Sequence, residues 1–311
     1  MTAQRMRLPD GRWHFHHGPM DIVIGAEGRP DAADAAHDAA WSRFRGILDE
    51  LVAELPLLRS PISSPIAGPS VLNGPIARRM WSACQPHAAS FITPMASVAG
   101  AVAEELIACY AKPGITRAWA NNGGDIALHL AAGQAVRIGL FSNLSRLDAL
   151  EVLQGVTTDG QFDVTSALPV RGVATSGWRG RSLSRGIADS VTVLARTASQ
   201  ADAAATVIAN AVNIDHPQVV RRPACEVKDN SDLGKLLVTV EVPTLHPRQV
   251  LQALQAGLAR ANALQASEHL WSAVLVCQSQ IAVTANTPFN LPASQCPGRP
   301  VGWFSTCLTN P

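Results

Sequence analysis

The chain has 311 residues, of which 47% are hydrophobic and 16% charged, and its formal net charge is +1. This is the balance of a packed globular protein and excludes disorder for the bulk of the chain. With no basic run and only 5% aromatic residues, both the electrostatic footprint and the stacking surface of a nucleic-acid binder are missing, so no nucleic-acid partner is expected.

In chain order, residues 13–25 carry two short β-like runs broken by Gly18-Pro19, which predicts an opening hairpin. Over 31–55, Trp41, Phe44, Ile47, Leu48, Leu51 and Leu55 recur at helical spacing and predict an amphipathic helix. Residues 56–76 hold Pro56, Pro61, Pro65, Pro69 and Pro75 with Gly68 and Gly74, and read as a long loop. A second helix is predicted over 94–112, rich in small residues at its start and ended by Pro113-Gly114. Strand-like runs follow at 117–120, 126–130, 135–141, 170–175 and 191–195. A third helix is predicted over 198–212 with Ser199 as its cap, then a strand over 236–240, a fourth helix over 247–266, and strands over 271–277 and 280–283. This mixed order lacks a regular βαβ beat, which predicts an α+β fold rather than a doubly wound sheet. The proline-rich tail over 285–311 reads as an irregular extension, leaving 1–284 as a single α+β domain.

The six cysteines are scattered with no C-x-x-C pair and read as reduced thiols, and Cys84 with His87 is too small a set for a metal site. No apolar stretch follows the N-terminal arginines, and no run of about 18 apolar residues occurs, so no membrane contact and a cytoplasmic location are expected.

Three constellations could carry chemistry. The first is Asn121-Asn122-Gly123-Gly124-Asp125, between two predicted strands. Its glycines allow positive φ, so its backbone N–H groups either cradle an anion or simply turn the chain. The second follows a strand and comprises Thr175, Ser176, Gly177, Arg179, Arg181 and Arg185. Its hydroxyls and guanidinium forks suit phosphate or carboxylate, and the alternative is a solvated basic loop. In the third, Asp202 and Thr206 stand four residues apart on one helical face. They suit a hard cation such as Mg²⁺, although an aspartate in a first helical turn also serves the helix dipole with no ligand. His14 and His16 share one strand face and His17 the other, which fits an ordinary surface strand. No G-x-S-x-G, Walker A, H-E-x-x-H or G-x-G-x-x-G motif is present.

In this order the elements resemble the ApbE superfamily, whose best-known members move FMN from FAD to a Ser or Thr of a target protein with Mg²⁺. The resemblance rests on Ser97 to Ala103 for the small-residue helix start, Asn121 to Ile126 for N-x-G-G-D-I, and Ala174 to Gly177 for A-T-S-G. It continues with Val191 to Ala195 for V-T-V-x-A and Ala201 to Thr206 for A-D-x-x-x-T. Gly18-Pro19-Met20-Asp21 and Asp229 to Gly234 look more like an uncharacterised ApbE-like branch. The resemblance implies a mixed, largely antiparallel sheet flanked by helices. It also implies Asp202, Thr206 and the Ala99 carbonyl as Mg²⁺ ligands, with FAD as a cofactor or substrate and an acceptor protein as a partner.

Two departures bear on activity. Family transferases carry a lysine where this chain has Gly100, and a histidine where Arg185 stands in this chain. Arg185 can hold phosphate but cannot deprotonate an acceptor hydroxyl, which leaves Asp189 as a base or merely a cap. The readings therefore divide among a Mg²⁺-dependent flavin transferase or FAD-binding relative, a catabolic enzyme for an anionic or heterocyclic substrate, and a non-catalytic flavin or nucleotide carrier.

Overall fold

The computed structural model describes residues 2–63, 70–140, 160–180, 182–285 and 289–290. Alternation of apolar and polar residues builds its main sheet. In β3 (Met20–Gly28), Met20, Ile22 and Ile24 are buried while Asp21 between them is exposed. β3 is flanked by β2 (Trp13–His17) and β4 (Ile115–Asn122), and β1 (Gln4–Arg7) lies outside β2. The sheet continues through β5 (Asp125–Leu130), β8 (Gly172–Ser176), β9 (Ser190–Ala195), β12 (Ser272–Cys277) and β13 (Gln280–Val283). All neighbours in this nine-stranded sheet are antiparallel.

The two faces have different covers. Ala118, Ala120 and Ala127 join Phe15, Ile22 and Ile24 in one core with α1 (Pro30–Ala53), α3 (Pro75–Cys84) and α4 (Val98–Ile107). Val191, Val193 and Ala195 pack on the same side with α5 (Ala198–Ala211) and α7 (Pro247–Ala266). Between α5 and α7 the chain forms a separate antiparallel pair, β10 (Val220–Pro223) and β11 (Leu237–Glu241), with the short helix α6 (Ala224–Val227) in the connection. Leu128, Leu130, Val173 and Leu194 point to the other face of the main sheet. They pack with Ile138 of β6 (Ala135–Leu140) and with Phe162 and Val164 of β7 (Gly160–Thr165), a small second sheet that Phe289–Asn290 also joins. The fold is thus α+β with a largely antiparallel sheet. No helix among the described residues is long and apolar enough to cross a membrane.

Two regions differ from the sequence expectation. The stretch 56–76 contains the end of a short helix, α2 (Leu55–Leu58), and the start of α3. Pro75 is in the first turn of α3, where a missing N–H costs nothing. The Glu54 carboxylate accepts the N–H groups of Asn73 at 2.5 Å and Gly74 at 2.9 Å just ahead of that helix, where the dipole favours a negative charge. The cap of α5 is Thr197, whose hydroxyl accepts the Gln200 N–H at 3.3 Å, rather than Ser199.

His87, 2% exposed, lies with its ring 6.1 Å from that of His269, and its Nδ1 has no partner among the described residues. Burial, aided by the nearby charges of Arg260 and His269, pushes its pKa from 6.5 down to about 4. The unfolded chain therefore takes up this proton first, so the stability His87 contributes is present above the unfolded value and is lost as pH falls through about 4. Urea unfolding of His87→Leu should show a smaller loss of stability between pH 6.5 and 4 than the parent, by up to about 3 kcal/mol. Equal losses would show that another group governs acid sensitivity.

Candidate functional site

The site is built where α4 crosses α5. Gly100 allows the close approach: a Cβ there would collide with the Ala198 carbonyl oxygen and lie 2.6 Å from its carbon. Glu104 fixes the start of α5 by accepting from the Ser199 hydroxyl at 2.7 Å and its N–H at 3.2 Å. Arg79 in turn pairs with Glu104 at 3.1 Å.

This crossing sets Asp202 against the first turn of α4, where its Oδ2 accepts the Gly100 N–H at 3.0 Å. Burial pushes the Asp202 carboxyl up to about 7, although the Gly100 and Ala99 amides partly offset that cost. One turn further on, the Thr206 hydroxyl donates to the Ala96 carbonyl at 3.5 Å. The Ala99 carbonyl accepts the Asn122 side-chain amide at 3.1 Å. Asp202, Thr206 and Ala99 thus all belong to this one crossing.

Asp232 stands in none of the three sequence constellations, yet it comes close. The Thr93 hydroxyl donates to it at 2.5 Å. The buried Cys84 thiol, pushed up to about 12 chiefly by burial, feels both Asp202 and Asp232. The polar run Asp229 to Asp232 is the only sequence signal for it.

The described residues contain no group of three or more His, Cys, Asp or Glu side chains placed to hold a metal ion. A cation at Asp202 would rely on hydroxyl and carbonyl oxygens and on the charge of a bound phosphate, a manner of binding that suits Mg²⁺. The donor set fits that ion, since Asp202 forms no ion pair among the described residues and the Thr206 hydroxyl and the Ala99 carbonyl beside it are oxygen donors.

The Asn122 to Asp125 segment is the two-residue hairpin between β4 and β5, with φ of +66° at Gly123 and +112° at Gly124. Gly124 N–H donates to Asn121 Oδ1 at 2.8 Å, and Asp125 Oδ1 accepts the Thr175 N–H at 3.2 Å. Thr175 also shares a 2.9 Å hydroxyl contact with Thr192. The turn therefore ties the helix start to β8 through Asn122 and Asp125.

After β8 ends at the half-buried Ser176, the backbone of Gly177 packs on the Asp189 carbonyl. Arg179 stacks 4.9 Å from the Trp178 ring centre, with its Nε 3.5 Å from Asp189 Oδ1. The other Asp189 oxygen accepts the Gln278 N–H at 2.5 Å, at the turn between β12 and β13 where Gln278 has φ of +44°. Asp189 thus has both oxygens engaged, one beside Arg179 and the other holding that turn. Arg181 lies outside the described residues. Arg185 is half-buried and faces elsewhere, lining a cavity of about 650 Å³ beside the C-terminal half of α5. Its backbone N–H donates to Asn210 Oδ1 at 2.8 Å.

The chain is similar in sequence to known proteins over most of its length. The profile of the family described as AbpE bacteria matches residues 5–283. A UPF0280 protein of Methanopyrus kandleri is 34% identical over 214 residues, covering 68% of this chain and 78% of that protein. A UPF0280 protein of Methanothermobacter thermautotrophicus is 40% identical over 144 residues, covering 46% of this chain and 51% of its own length, so the chain spans about half of that relative. Among solved structures, the ApbE protein of Thermotoga maritima aligns with a TM-score of 0.34 and 14% identity, covering 68% of this chain and 88% of that one. The chain belongs to the AbpE bacteria family, an ApbE-like group.

Proposed function

We propose that the chain binds a flavin nucleotide together with a divalent cation, FAD with Mg²⁺, at the α4–α5 crossing, as a flavin transferase or an FAD-binding relative. The observation that carries this reading is the Asp202 carboxylate, half-buried without a basic partner among the described residues and flanked by Thr206 and the Ala99 carbonyl. When bound, the cation supplies charge neutralisation at a phosphate. The residues themselves hold an anionic oxygen in a partly desolvated place, where its attraction to a cation exceeds that of an exposed carboxylate.

One observation favours the non-catalytic form of this reading. Gly100 occupies the position where the family resemblance puts a lysine, and no side chain fits there. Arg185 lines a different cavity, and a guanidinium is no general base for the acceptor hydroxyl. FAD should therefore quench or shift its absorbance on mixing with protein and Mg²⁺, and lose that signal in EDTA. Release of AMP with flavin transferred to a Ser- or Thr-containing acceptor protein would identify a transferase, and binding without AMP a carrier. No spectral change with or without Mg²⁺ would overturn the reading.

A further inference from the structure

The cavity that Arg185 lines draws cations from four separate stretches of chain. Arg185 comes from the loop after β8, Arg221 from β10, Lys235 from the approach to β11, and Arg260 from α7. Among the described residues, no aspartate or glutamate lines the cavity. None of the four cations forms an ion pair among the described residues. Like charges that share a concave wall repel one another and focus a positive potential into the space between them. The chain as a whole has a formal net charge of only +1, so this potential is a local concentration.

The polar neighbours add donors and few acceptors. Asn210 Oδ1 is occupied by the Arg185 N–H at 2.8 Å and the Ser184 hydroxyl at 3.2 Å. Asn213 Oδ1 is occupied by Arg221 Nη2 at 2.6 Å and the Ile214 N–H at 3.0 Å. The bond from Asn213 also holds the Arg221 guanidinium in place. Phe91, Leu236 and Leu237 supply an apolar wall beside these cations, and Leu237 is 52% exposed.

We propose that this cavity is a metal-independent binding site for a small polyanion of the diphosphate class, with the apolar wall receiving the body that carries it. Guanidinium forks pair bidentately with phosphate oxygens, and three of them with an ammonium match the charge of a diphosphate. The site goes beyond the flavin reading, because it needs neither Asp202 nor a cation.

Calorimetric titration of the full chain in EDTA tests it, with inorganic pyrophosphate and ADP as probes. One site per chain is expected, weakening as salt rises. Tighter binding of ADP assigns the apolar wall to the ligand body, and equal affinity assigns the site to the diphosphate alone; either keeps the site. Arg260→Gln should weaken binding about tenfold or more, the loss expected for a charge-assisted contact. Lys235 is exposed, so Lys235→Gln tests the same cavity without risk to folding. Arg45→Gln removes one charge from an exposed position on α1 and should change nothing. Absence of binding at millimolar probe, or Arg260→Gln and Lys235→Gln behaving like Arg45→Gln, overturns the proposal. Failure of FAD to bind with Mg²⁺ leaves it standing, and FAD binding without any pyrophosphate or ADP binding in EDTA removes it alone.

Discussion

Gly100→Ala is expected to lower the urea midpoint of the protein sharply, while Gly46→Ala raises it slightly. Both glycines lie in α-helices, α4 and α1, so helix propensity alone predicts a gain of about 1 kcal/mol for each. They differ in what an added methyl meets. At Gly46 nothing lies within 4 Å of the new Cβ, and the gain should be realised. At Gly100 the Cβ would strike the Ala198 carbonyl and lie 3.0 Å from Asp202 Cβ. Those neighbours are the backbone of α5 and the stem of a held side chain, and neither can swing aside. Overpacking typically costs about 1–3 kcal/mol, and here α5 would have to shift, stretching the Gly100–Asp202 and Ser199–Glu104 bonds. The net loss should sit near the top of that range. Equal midpoints for parent and Gly100→Ala would show that the crossing is looser than its geometry implies.

The long elements are legible in the sequence because their apolar spacing is strong. The helix expected over 247–266 has those bounds, and the stripe from Trp41 to Leu51 packs α1 on the sheet. α3 is hidden in the proline-rich stretch, although Ile76, Ala77, Met80, Ala83 and Cys84 follow helical spacing once Pro75 is taken as an initiator. β1 gives no alternation, since all its residues are exposed at the edge of the sheet. Within the site, the pairing of Asp202 with Thr206 can be read because it is local to one helix. The approach of Asp232 to Thr93, and the gathering of Arg221, Lys235 and Arg260 around Arg185, depend on tertiary contacts that no local spacing encodes.

Asp202→Asn should produce two separable effects, one on stability and one on cation binding. The Asp202 pKa rises from 3.8 to about 7 on folding because burial disfavours its charge. The folded state therefore binds its proton more tightly than the unfolded state does. The stability this gives is fully present below the unfolded value and is lost as pH rises through about 7. Measured against the uncharged Asp202→Asn variant, which lacks this titration, the parent should therefore lose on the order of a few kcal/mol of stability as pH rises from 4 to 8, whatever slope other groups such as His87 give to both proteins. Denaturant titration at several pH values measures it with no metal present. The second effect needs the cation. Only the ionised carboxylate is a ligand, so parent affinity for Mg²⁺ should rise about tenfold per pH unit up to about 7 and then level off. Asp202→Asn should remove that binding across the whole range. A lost pH slope with Mg²⁺ affinity unchanged would keep Asp202 as a half-buried acid that helps to fix the helix crossing. It would also take the cation away from this site, and with it the proposed cation-dependent binding of FAD.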